Sequence, residues 1–323
     1  MPTRQTPLGS GFGPTSEPAD VLADVDLDGA TAVVTGGYSG IGLETTRALA
    51  ARGASVIVPA RSPDKARENL ADVPGDVTSI EMDLADLAGV AAFADAVADR
   101  RASLDLLVDN AGVMATPERR VGPGWEYQFA INHLGHFALT AALMPLLAAA
   151  DAPRVVVLSS IAHRRGGIEW DDIHFRDRPY DKWAAYAQAK SANALFALEL
   201  SNRMAGFGGR AFSVHPGGIL TPLQRDLDLD EQVQLGWRDP DGSPSEIART
   251  RFKSPSQGCS TTLWAATSPM LADRHGLYCE DCDVAALATD SSPPFVHVAP
   301  HAVDPVAAAR LWELSVEMVA GTA

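Results

Sequence analysis

Cysteine is scarce in this chain. The 323 residues hold three, Cys259, Cys279 and Cys282, and so small and odd a number does not suggest a disulfide framework. Positive charge is also short. Lys and Arg total 26 against 41 Asp and Glu, a formal net charge of −15. Nucleic-acid binders show basic faces, so phosphate-backbone binding is not the main task, although one local basic pocket stays possible. No apolar run reaches the ~18 residues needed to span a bilayer. Residues 138–150 come nearest, and Pro145 interrupts them. The N-terminus lacks the basic-then-apolar order of a signal peptide. The expectation is a soluble, cytoplasmic chain with no membrane span and no nucleic-acid partner.

Hydrophobic residues make up 46% of the chain, enough for the core of one large α/β domain. Residues 1–18, rich in Gly, Pro, Ser and Thr, read as a flexible tail. Residues 19–323 read as a single domain. Ala32-Val33-Val34 is a short buried-type strand, and Thr35-Gly36-Gly37-Tyr38-Ser39-Gly40-Ile41-Gly42 follows it, opening a helix to Ala51. Strand, glycine-rich turn, helix is the setting of a dinucleotide site. Glycines let the backbone approach a pyrophosphate, and the helix N-terminus offers free N–H groups. The second strand, Ser55 to Val58, ends in Pro59-Ala60-Arg61. An acid here would hold a ribose 2′-hydroxyl. A cation stands beside the gap instead, which favours NADP(H) over NAD(H) without excluding NAD(H). Asp64 complicates that charge balance.

Further strands follow at Val77–Ile80, ending at Asp83, and at Leu104–Val108, which runs into Asp109-Asn110-Ala111-Gly112. Others are expected at 154–158, ending at Ser159-Ser160, at 210–214, and at 276–278. Strands alternating with helices imply a doubly wound parallel sheet flanked by helices, a Rossmann-type fold. Trp125 to Ala149 reads as helical, with Asn132, His133 and His136. Residues 222–256 are acidic and weakly patterned, and read as a substrate lid or a disordered loop. A C-terminal segment, 276–323, closes with a helix from Pro305, capped by Asp304.

Tyr186 and Lys190 stand four apart in a helical run, which puts both on one face. A lysine beside a phenol favours the phenolate, and so makes a tyrosine usable in acid–base work. A competing pattern is Cys279-x-x-Cys282 followed by His297-x-x-x-His301, a zinc-like spacing. Pro300 lies between the histidines and argues against the helix such a site wants. A dithiol redox pair and inert cysteines are the other readings. No metal site is expected.

In the order and spacing of Thr35-Gly36-x-x-x-Gly40-Ile41-Gly42, Asp83-Leu84, Asp109-Asn110-Ala111-Gly112, Asn132, Ser160, Tyr186-x-x-x-Lys190 and Pro216-Gly217, the chain resembles the short-chain dehydrogenase/reductase family from about residue 27 to about 320. Asn132-His133-Leu134-Gly135-His136-Phe137, Ser159-Ser160-Ile161-Ala162-His163 and the long interval from Ser160 to Tyr186 resemble its retinol-dehydrogenase-like branch. Asp109 departs from the usual Asn, and the glycine turn has no basic residue of its own.

The resemblance implies Tyr186 as proton donor or acceptor and Lys190 as the group that lowers its pKa and holds the nicotinamide ribose. Ser160 would bind the substrate oxygen, and Asn132 a water that passes protons to Lys190. Thr35, Ser39 and Ile41 would line the phosphates, Asp83 and Leu84 the adenine, and Asn110 and Ala111 its ribose. Ile219 and Thr221 would meet the carboxamide. The implied activity is interconversion of a carbonyl and an alcohol on a medium-sized, largely apolar small molecule. The alternatives are a catalytically silent NADP(H)-binding regulator and an isomerase or dehydratase that uses the cofactor transiently. Relatives often pair through the Tyr186 helix, so a homo-oligomer is possible.

Overall fold

The structure, a computed structural model, describes residues 5–321. Among these residues one sheet holds β1 (Thr31–Val34), β2 (Ser55–Ala60), β3 (Val77–Glu81), β4 (Leu106–Asp109), β5 (Arg154–Leu158), β6 (Arg210–His215), β7 (Tyr278–Glu280) and β8 (Asp283–Val284). Their spatial order is β8-β7-β6-β5-β4-β1-β2-β3. Neighbours run parallel except β7 and β8. Ala32 of β1 lies opposite Val56 of β2 on one side and Leu106 of β4 on the other. The chain winds out from β1 to β3, then returns to lay β4 on the opposite side of β1. That reversal opens a crevice beyond the carboxyl ends of the strands.

The inner strands are β-branched and buried on both faces, as a covered parallel sheet requires. Alternate side chains feed two cores. Ala32, Val34, Val56 and Val58 pack with Leu49 of the Gly40–Ala50 helix and with Leu263 and Trp264 of the Pro255–Thr267 helix. Val33, Ile57, Leu107, Val155 and Val157 pack with Phe93, Phe137 and Phe196 on the other face. Phe196 sits on the 23-residue Lys182–Met204 helix, whose N-cap Asp181 accepts from the N–H groups of Trp183 and Ala184.

Several expectations change. The segment read as a flexible tail is tied down over its described part. The Gln5 amide donates to the carbonyls of Tyr278 and Ala285, and Asp283 accepts from the N–H groups of Leu8, Gly9 and Ser10. A polar segment becomes ordered because the sheet edge supplies backbone partners, which composition does not reveal. Residues 1–4 lie outside the described residues. The sheet has an antiparallel β8 beyond the expected last strand. Its turn, Asp281-Cys282, has φ of +49° and +59°, a conformation usually marked by Gly or Asn. The helix expected from Trp125 begins at Tyr127, because Trp125–Glu126 pairs with Arg120–Val121. The 222–256 segment is built of short elements: a 3-10 turn at Pro222–Asp226 and helices at Leu229–Gln234 and Glu246–Arg251.

One helix, Tyr127–Ala148, is long and apolar enough by length and composition to cross a membrane, contrary to expectation. The most apolar stretch is 72% buried, where it packs on the Leu87–Ala98 helix and the sheet, so its apolar length is used in the core.

Candidate active site

A cavity of about 820 Å³ occupies the crevice. One half is lined by the glycine turn, by Arg61, Asp83 and Leu84 at the ends of β2 and β3, and by Asn110, Ala111 and Gly112 after β4. The other half meets Ser160, Tyr186, Lys190, Pro216, Gly217, Ile219 and Thr221. Strand ends from six segments thus deliver almost every residue singled out from the sequence to one space. Two exceptions are Gly42 and Asn132, which do not line the cavity and support it from behind. A Cβ on Gly42 would stand 2.4 Å from both the Gly36 carbonyl oxygen and the Asn110 side chain, so only glycine closes the turn this tightly. The open turn, the free helix N-terminus and the cations beside β2 fit a phosphorylated dinucleotide.

Ser62 and Lys65, missed in the sequence, join Arg61 at this end. Asp64 points elsewhere and pairs with Arg67 at 3.0 Å. Lys65 escaped notice because it lies on the Pro63–Leu70 helix, where a lone surface lysine carries no pattern. Pro14, from the segment expected to be mobile, also lines the cavity.

The Thr35 hydroxyl is not free for a phosphate. It accepts from the N–H groups of Asn110 at 2.8 Å and Ala111 at 2.9 Å, and lies 2.9 Å from His136 Nε2. His136 Nδ1 lies 3.0 Å from the Asn132 main-chain carbonyl, which only accepts. Nδ1 therefore carries the proton, and Nε2 accepts from Thr35. Burial holds this ring neutral, with its pKa down at about 4. His136, noted in the sequence as part of the Asn132–Phe137 motif, has a structural place here. The Asn132 side chain is also committed, with Oδ1 and Nδ2 both bonded to the Val113 backbone at 2.9 Å. What remains for a water is a spare lone pair on one of its carbonyl oxygens. Asn132 lies in a π-helical turn, Ala130–Leu134, which shifts the helix register at this point.

Ser160 follows β5. Its backbone carbonyl accepts from His163 Nδ1 at 2.6 Å, and that ring's Nε2 accepts from the Ala299 N–H at 3.0 Å. The Ser160 hydroxyl accepts from the Ala162 N–H at 3.1 Å. Burial pushes the Tyr186 phenol up to about 12, and Ser160 draws it the other way. Lys190 donates to the Leu158 carbonyl at 2.9 Å, and its ammonium lies 5.7 Å from the Tyr186 ring centre. Burial pulls Lys190 down to about 7. Lys190 is not among the groups that move the Tyr186 pKa in this structure. Desolvation dominates both groups, and the partner that favours the phenolate is Ser160.

The lining also includes the apolar side chains Leu223, Leu235, Trp237, Ile247, Phe252 and Phe295, among polar ones such as Arg251 and Lys253. Lys253 ties this lining to the β7–β8 turn, pairing with Asp281 at 2.6 Å. Cys279 and Cys282 are buried thiols whose pKa values burial raises. His297 bonds Ser292, and His301 bonds the His163 carbonyl. Among the described residues no group of three or more His, Cys, Asp or Glu could hold a metal.

Comparison with known proteins agrees with this geometry. The family described as short chain dehydrogenase matches residues 30–172. A Streptomyces lividans protein described as a probable oxidoreductase is 44% identical over 90% of this chain and 97% of its own. The short-chain dehydrogenase/reductase prx1 of Penicillium roqueforti is 36% identical, covering 93% and 89%. Retinol dehydrogenase 12 of Mus musculus is 35% identical, covering 92% and 88%. The crystal structure of an uncharacterised protein from Mycobacterium Paratuberculosis superposes with a TM-score of 0.70 at 33% identity, covering 92% of this chain and 96% of that one.

Proposed function

The chain belongs to the short-chain dehydrogenase/reductase family, in its retinol-dehydrogenase-like branch, and from that premise we propose an NADP(H)-dependent reduction of a largely apolar ketone or aldehyde to the alcohol. The observation that carries the reading is that Ser160, a buried Tyr186 and Lys190 line one cavity with the glycine turn and a group of apolar side chains. A bound nicotinamide supplies the hydride. Ser160 donates to the substrate oxygen and steadies the charge that grows there. Tyr186 gives that oxygen its proton. A phenol protonated near neutral pH suits the donor role. Lys190 holds the ribose side of the cleft, and Asn132 offers a carbonyl lone pair to the water that returns protons.

The preference for NADP(H) rests on Arg61, Ser62 and Lys65 at one end of the cleft, with Asp64 turned to Arg67. A 2′-phosphate would draw on both cations. Arg61→Ala and Lys65→Ala should each raise KM for NADPH about tenfold and leave KM for NADH within about twofold. Equal effects on both cofactors would contradict the assignment.

The activity is tested with a panel of ketones and aldehydes, following nicotinamide absorbance and product together. NADPH consumption matched by alcohol formation is expected. Product formed without net change in the nicotinamide would favour an isomerase or dehydratase. Cofactor binding with no turnover across the panel would favour a silent regulator.

A further inference from the structure

Phe295 is the most exposed aromatic side chain at the cavity, 67% accessible, and its backbone sits at φ +70°. A bulky residue in this region is strained, and such strain persists only where the surroundings impose it. Here they do. The Arg164 guanidinium donates to the carbonyls of Pro293 at 2.7 Å and Val296 at 2.6 Å, on either side of Phe295. The next strained residue, His297, at φ +69°, gives its N–H to both Glu280 oxygens at 2.9 and 3.0 Å. The Ala299 N–H is held by His163. Arg164 and His163 belong to the 3-10 turn that begins directly after Ser160. The turn that follows Ser160 thus holds the backbone on either side of an exposed aromatic residue in the cavity lining.

We propose that Phe295 is a specificity-determining residue that packs on the distal apolar end of the substrate, an unbranched chain or ring extending away from the reacting carbonyl, and that Arg164 is the positioning residue that holds it there. This rests on the carbonyl reading for the reacting end only. Tyr186 and Phe295 line the same cavity, and Trp237, Ile247 and Phe252 are also in its lining. A substrate seated at Tyr186 with an apolar tail would cover the exposed ring. The gain from that cover is hydrophobic and grows with tail length until the rim is passed.

The probes are straight-chain 2-alkanones from butan-2-one to dodecan-2-one, titrated by calorimetry against the full chain saturated with NADP+, with turnover measured separately with NADPH. The wild type should bind the longer ketones progressively tighter. Phe295→Ala should weaken the longest about tenfold and the shortest less than twofold, with NADP+ affinity unchanged. Phe295→Leu should recover most of the loss. Arg164→Gln should reproduce the alanine pattern in ligand affinity while the cofactor still binds. Length-dependent binding without turnover would remove the carbonyl reading and leave this assignment standing. Wild-type binding that does not vary with length, or a Phe295→Ala series parallel to the wild type, would overturn it. So would failure of the wild type to bind any of the ketones.

Discussion

Asp109 shows how a single residue can break a family pattern and keep its geometry. It ends β4 within the core, 1% exposed, and the Thr140 hydroxyl donates to one of its oxygens at 3.1 Å. The other oxygen has no partner. Burial raises this carboxyl well above its ordinary pKa. A protonated carboxyl has nearly the shape of the amide expected there, so the turn into Asn110 is unchanged. The sign follows from linkage. A raised folded pKa means the folded state holds the proton more tightly, and this stabilising contribution is lost as pH rises from about 4 through the folded value. Asp109→Asn should therefore melt about 2–5 °C higher than the wild type at pH 8, with the difference shrinking toward pH 4 and turnover preserved. A variant that melts lower at pH 8, or a difference independent of pH, would contradict the protonated carboxyl. Thr35 and His136 make a related point. Both lie in motifs noticed in the sequence, but the bond between them crosses 101 positions of chain and leaves no local periodicity to read.

At the scale of elements, the closing helix bears on assembly. Pro305–Ala320 lies along the Lys182–Met204 helix. Trp312 stacks on Phe196 with ring centres 5.9 Å apart, and Arg203 lies 4.4 Å over Trp312. Ser315 bonds His133 at 2.8 Å. The helix through which relatives pair is therefore covered by the chain itself. Light scattering should give one chain's mass, 34.1 kDa, and a dimer that buries the Lys182–Met204 helix in hydrogen exchange would contradict this. The closing helix itself was legible from Asp304 and Pro305, because a cap is a local signal. So were six parallel strands and the glycine turn, where Val-rich runs meet residues that only a tight turn needs. The β7–β8 turn was hidden because Asp281 and Cys282 take positive φ without glycine. The lid's short helices were hidden as well. Each is capped by its own Asp228 or Ser245, yet is too short to show an apolar period. Lys65, Phe295 and Arg164 become site residues only through long-range folding.

The whole molecule buries histidines in the neutral form. Burial holds His133 and His215 down at about 3, and His136, His163 and His174 at about 4. The unfolded chain takes up these protons near 6.5, so each histidine costs stability as pH falls from there toward its folded value. Glu280, raised to about 7, works the opposite way between about 4.5 and 7, as do Glu126 and Asp109 with their raised values. Five histidines against three carboxyls give a net loss on acidification. The denaturation midpoint should fall between pH 6 and 4.5, while imidazole NMR shows these rings still neutral in the folded protein at pH 5.5. Rings titrating near 6.5 would contradict the burial account. The central claim is that this molecule reduces a carbonyl with a proton from Tyr186. It is tested most directly by comparing the wild type with Tyr186→Phe on one carbonyl the wild type reduces, measuring NADPH affinity and kcat on the same preparations. Cofactor affinity should stay within about twofold and kcat should fall by at least about a thousandfold. A variant that binds NADPH and keeps wild-type kcat would contradict it.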